Sequence, residues 1–172
     1  MAELREVLTN AGFSNARTYI ASGNALVDTD LTSKEVEKRV HDLIKEHIGP
    51  ALAVFARTGD QLQAVLDENP FKEGYDISRT FFTLFQEPPS RDKVAKLLTQ
   101  DFLPEELRFS DHAAYLFIPG SAARSQLSSI SLGKLLGVSA TSRNFNTLTK
   151  LVEMSRDLKI ETSSIKALGE TK

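Results

Sequence analysis

The 172 residues include no cysteine, which excludes disulfides, thiolate catalysis and sulfur-ligated metals or clusters. No apolar run approaches the roughly 18 residues of a membrane span, and no basic, apolar, small-residue leader opens the chain. Neither a spanning helix nor a cleaved secretion signal is therefore expected. Neither sign of charge dominates: 21 Lys and Arg stand against 23 Asp and Glu, a net of −2, with a pI near 5.9. A duplex-coating domain has a pI above about 9 and clustered basic residues. Phosphate loops (GxxxxGKS/T, GxGxxG), the HExxH helix, the EF-hand loop and the nucleophile elbow are also missing. What is present is a composition of 41% hydrophobic and 26% charged residues. It suits a cytoplasmic globular chain of one unit of about 150 residues or two of half that size.

Charge is unevenly shared along the chain. Residues 1–77 carry 8 basic and 13 acidic side chains, and residues 78–172 carry 13 and 10. Within 121–159 six bases (Arg124, Lys134, Arg143, Lys150, Arg156, Lys159) face two acids (Glu153, Asp157), either an ordinary solvated face or a modest anion-attracting one.

Periodicity supplies the elements. A helix is expected over Ala2–Asn10, stopped by Gly12. Two strands, Ala16–Ser22 and Asn24–Asp28, hinge at Ser22-Gly23-Asn24. Thr32 and Glu35 form a capping box opening a helix through Ile48. Ala51–Arg57 reads as a strand, and Thr58 caps a short helix that ends at Asn69-Pro70-Phe71. In the second half Arg79–Glu87 is an aromatic strand and Ser90 opens a helix. Leu107–Asp111 and Ala114–Ile118 form a second strand pair, and one helix carries Leu127, Ile130, Leu132, Leu135 and Leu136. Ser139–Arg143 is a strand, and a last helix spans about Thr147 to Leu158.

The second half thus reads β-α-β-β-α-β, the split-βαβ pattern of a ferredoxin-like sandwich, and the first half is the same unit without its opening strand. The expected architecture is α+β with two ferredoxin-like subdomains, over 1–77 and 78–159, followed by a mobile tail over 160–172. The missing strand is a central one. Its absence leaves Asn24–Asp28 and Ala51–Arg57 with open rows of backbone donors and acceptors, which predicts low stability or self-association through those edges.

Three stretches carry a resemblance: Thr18-Tyr19-Ile20-Ala21-Ser22-Gly23-Asn24, Asn69-Pro70-Phe71, and Thr141 to Thr147 (TSRNFNT) running on to Lys150-Leu151. They resemble the TYIxSGN, NPF and TxRNxNTxxKL signatures of the bacterial domain of unknown function 1697, over about residues 1–158. The resemblance implies two ferredoxin-like subdomains and no established activity. Members usually open with a strand and a glycine-rich loop ahead of the helix found here, and the central strand missing from the repeat predicts that Met1 is not the natural start. Phe145 stands where the family commonly has Trp.

Candidate chemistry is sparse. His41 and His47 fall on a charged helix and His112 near a hairpin turn, so no Ser-His-acid set is indicated. Glu105 and Glu106 alternate on a strand and read as surface charges. The aromatics Phe81, Phe82, Phe85, Tyr19 and Tyr115 lack an RNP1-like string and read as core. The best constellation runs from Thr141 to Lys150. Asn146 or Thr147 is placed to cap the last helix, Asn144 stands beside them, Arg143 precedes the helix, and Lys150 lies one turn in, with Arg124 a further base. This is a cradle for a phosphate or carboxylate, or else a set of residues that satisfies the backbone where strand becomes helix. The expected function is a non-enzymatic binding module for a small anionic ligand, with no cofactor, no metal, no nucleic acid and no membrane. The alternatives are an enzyme of unknown class and a structural protein that pairs through an open sheet edge.

Overall fold

The computed structural model describes residues 1–21 and 23–169. The chain is α+β and divides into two compact units, one of Met1–Asp60 with the chain from Lys150 onward, the other Gln61–Thr149. No helix among the described residues is long and apolar enough to cross a membrane.

The first unit opens with α1 (Ala2–Asn10), after which Gly12 takes a φ of +89°, a left-handed turn that ends the helix as its position predicts. Strands β1 (Ser14–Tyr19) and β2 (Asn24–Asp28) form a two-stranded antiparallel sheet. Their turn is closed by Asn24, whose buried side-chain amide donates to the Tyr19 carbonyl at 3.2 Å, and by Gly23 at φ +83°. Ser22, the remaining residue of the expected hinge, lies outside the described residues. Helix α2 (Ser33–His47) carries the expected capping box: the Thr32 N–H donates to Glu35 Oε2 at 2.8 Å, and the Glu35 N–H donates back to Thr32 Oγ1.

Ala51–Arg57 is not a strand, contrary to the expectation from its β-prone sequence. It joins no ladder, and side chains of α2 serve part of its backbone: the Ala56 N–H donates to Glu37 Oε1 at 2.9 Å, and His41 Nδ1 donates to the Leu52 carbonyl at 2.6 Å. A strand exists only by pairing with a neighbour, and no ladder among the described residues includes this segment.

The second unit begins with α3 (Gly59–Asp67), whose first two residues count with the first unit. The NPF stretch follows. Asn69 is buried, its side-chain oxygen accepts from the Phe71 N–H at 3.1 Å, and Phe71 is fully enclosed. Strands β3 (Thr80–Phe85), β4 (Glu106–Phe109), β5 (Ala114–Phe117) and β6 (Ala140–Asn144) form an antiparallel sheet of order β4-β5-β3-β6.

Helices α4 (Arg91–Leu97), α5 (Gln126–Ser129) and α6 (Leu132–Leu136) cover one face, over a core of Phe85, Leu107, Ala114, Leu116, Leu127 and Leu136. The other face packs Phe82, Leu84 and Tyr115 against Val65, Phe71 and Leu148. Because β3 is covered on both sides, its apolar residues do not alternate with exposed polar ones, and its two threonines, Thr80 and Thr83, are buried. The single helix expected over Leu127–Leu136 is two. Ile130 adopts an extended ψ of 125°, and Ser131 recaps the chain by accepting from the Lys134 N–H. The last helix, α7 (Phe145–Gly169), begins two residues earlier than expected and continues past Leu158; residues 170–172 of the expected tail lie outside the described residues.

Candidate functional site

The junction of β6 and α7 is built from the strand outward. Asn144 pairs with Phe81 at the end of the ladder, and its side-chain oxygen then accepts from the Thr147 N–H at 2.8 Å. Asn144 is therefore the cap of α7, not Asn146 or Thr147. The ladder holds the backbone extended as far as Asn144, so the helix starts at Phe145 and places Thr147, itself buried, three residues inside. Phe145 packs with its ring 6.4 Å from that of Phe82.

Arg143 lies opposite Phe82 in the ladder, so its side chain points to the face that carries Phe82 and Tyr115. Its Nη1 donates to Thr141 Oγ1 and to the Ser142 carbonyl, each at 2.8 Å, and burial lowers the guanidinium pKa from its usual value. It stays a cation at any ordinary pH. Lys150 counts with the first unit, and its ammonium is held 3.1 Å from Glu153, an exposed pair in which the carboxylate raises the lysine pKa. Arg124 sits on the 3-10 turn Ala122–Arg124, on a different connection from β6. Of the residues that sequence groups together, Arg143, Asn144, Asn146 and Thr147 stay contiguous at one junction.

Other polar clusters have structural assignments that the sequence does not announce. Glu105 is not a free surface charge: its carboxylate accepts from Ser125 Oγ and from the Gln126 and Leu127 N–H groups at 2.8–3.1 Å, closing the start of α5. Glu106 accepts from the Tyr75 hydroxyl at 2.9 Å and from Arg108, whose guanidinium stands 5.2 Å over the Phe71 ring. His112 Nδ1 donates to Glu68 at 3.0 Å, while the His112 N–H donates to Ser110 Oγ, itself 3.2 Å from the Tyr115 hydroxyl. The Tyr115 hydroxyl donates in turn to the Val65 carbonyl. Ser110 Oγ thus accepts from the hairpin's own backbone, and the cluster ties the β4–β5 hairpin to the end of α3. The contacts of Glu105 with Ser125–Leu127, Glu106 with Tyr75, His112 with Glu68 and Tyr115 with Val65 join residues 20 to 50 apart in sequence, and no spacing rule reaches that far.

Among solved structures, the chain is similar to the conserved bacterial protein SP0830 from Streptococcus pneumoniae. The TM-score is 0.70 at 23% identity, over 90% of this chain and 88% of that one. Comparison with curated proteins finds no match. The TYIASGN and NPF stretches both fall within residues 1–115, matched by the family described as protein of unknown function (DUF1697), whereas the Thr141–Leu151 stretch falls beyond them; with more than half its length matched, the chain belongs to that family.

Proposed function

We propose that the chain is a non-enzymatic binding module whose second unit is a ferredoxin-like sandwich that takes a small phosphate-bearing anion at the β6–α7 junction. The order β4-β5-β3-β6, with its first strand central and helices after the first and third strands, supports the sandwich reading. The observation that carries the anion reading is Arg143, a half-buried guanidinium one residue before the cap of a 25-residue helix. A fork of donors beside the positive end of a helix suits a phosphate or carboxylate. Two of the Arg143 donor contacts are to a hydroxyl and a carbonyl, which hold the guanidinium in place beside the helix start. The test is thermal shift with inorganic phosphate for the parent chain, Arg143→Ala and Arg143→Lys. A shift lost in Arg143→Ala and reduced in Arg143→Lys is expected; equal shifts in all three would reject the site.

A second reading, pairing between copies through an open sheet edge, is favoured by one observation. Ala51–Arg57 is apolar and β-prone yet joins no ladder, and Leu52 is 52% exposed. Sedimentation over a range of concentrations separates the readings, because edge pairing predicts a concentration-dependent dimer and anion binding does not.

A further inference from the structure

On the face of the second sheet covered by α4, α5 and α6, the cover is incomplete. The break between α5 and α6 leaves a pocket of about 680 Å³ whose floor is Phe81, Thr83, Leu116, Ile118, Ala140 and Ser142. Its size falls within the roughly 300–1,000 Å³ of small-molecule sites. Gly133 sets one wall: a Cβ there would stand 2.8 Å from the Val138 carbonyl oxygen and 3.2 Å from Ala140 Cβ, so α6 lies directly on the start of β6.

Two properties of the lining select a ligand. Thr83, 2% exposed, and Ser142 hold their hydroxyls 2.7 Å apart. One proton of the pair is consumed in that bond, and the other remains to donate to an acceptor in the pocket. Among the described residues lining the pocket, Lys134 is the only ionisable one and no carboxylate is present. We infer that this pocket binds a small amphipathic carboxylate, its apolar body over Phe81, Leu116 and Ile118 and its head group toward the hydroxyl pair and Lys134. The site is independent of the β6–α7 junction, because Arg143 and Ser142 alternate along β6 and point to opposite faces.

The test uses the full chain and titrates phenylbutyrate against its neutral analogue phenylbutanol by calorimetry, with backbone amide shifts to locate the binding. The expected result is saturable binding of phenylbutyrate that is several-fold tighter than that of phenylbutanol, with shifts at Phe81, Ile118 and Leu132. Ser142→Trp should fill the floor and abolish binding, and circular dichroism shows whether the variant is folded. Lys134→Glu, at an exposed position, should weaken phenylbutyrate several-fold and leave phenylbutanol unchanged. No saturable binding in the millimolar range, equal affinity for acid and alcohol, undiminished affinity in Lys134→Glu, or shifts confined to Arg143–Thr147 would each overturn the assignment. Inorganic phosphate in the same experiment reports on the junction where its amide shifts fall at Arg143–Thr147 and on the pocket where they fall at Phe81, Ile118 and Leu132, so the failure of one reading leaves the other standing.

Discussion

Ile20 holds a φ of +51° in the turn that closes the first hairpin, in the left-handed region where a β-branched side chain crowds the backbone. With 48% of its surface exposed it has little packing to lose, so Ile20→Gly should stabilise the chain by up to about 1 kcal/mol, read from urea midpoints. At the start of α7, the cap assignment separates neighbours that sequence alone does not distinguish. Asn144→Ala should cost about 0.5–2 kcal/mol, whereas Asn146→Ala, at an exposed helical position, should change stability by about 0.5 kcal/mol or less. The cap was legible as a type, since Asn and Thr cluster where strand becomes helix. Its position was not, because the ladder on β3 decides how far the backbone stays extended.

At the scale of elements, Gly59 opens α3 against α7. A Cβ at Gly59 would stand 2.1 Å from Ser155 Oγ and 2.9 Å from Ser155 Cβ, so Gly59→Ala should destabilise the chain by about 1–3 kcal/mol, and adding Ser155→Gly should recover most of the loss. A double-mutant cycle by chemical denaturation measures this. The β4–β5 hairpin should respond to acid. The Glu68 carboxyl lies below its ordinary value of 4.5, chiefly through the hydrogen bond from His112 and then that from Ser110. A carboxyl whose folded pKa is lowered adds stability that is fully present above about 4.5 and is lost as pH falls through its lower folded value. His112→Phe removes the donor, so its loss of stability across the acid range should be shallower than the parent's, as denaturation midpoints against pH would show.

For the whole molecule, the contrast between the two sheets governs behaviour. In the second unit β3 bonds to β5 and β6, and helices or loops cover both its faces; in the first, Ala51–Arg57 forms no strand. An apolar, β-prone, partly exposed segment favours association, and charge on such a segment blocks it. Leu52→Lys should therefore lower any concentration dependence of sedimentation while leaving the circular dichroism spectrum unchanged. A parent chain that is monomeric at every concentration and melts cooperatively at an ordinary temperature would remove the reason for the substitution.

Local chemistry wrote much of this protein into its sequence. The capping box at Thr32 and Glu35, the stop at Gly12, the aromatic β3 and the NPF turn each follow from residues within a few positions of one another, because helix caps and turns close over that distance. Three things were settled only by tertiary structure. Ala51–Arg57 has strand composition but no strand, since a ladder needs a second backbone that periodicity does not supply. The helix expected over Leu127–Leu136 splits at Ile130 and Ser131, where apolar spacing continues but the backbone does not. Glu105, Glu68 and the Thr83–Ser142 hydroxyl pair acquire their partners from segments 20 to 59 residues away. Sequence spacing records which residues share one element, and packing alone decides which elements meet.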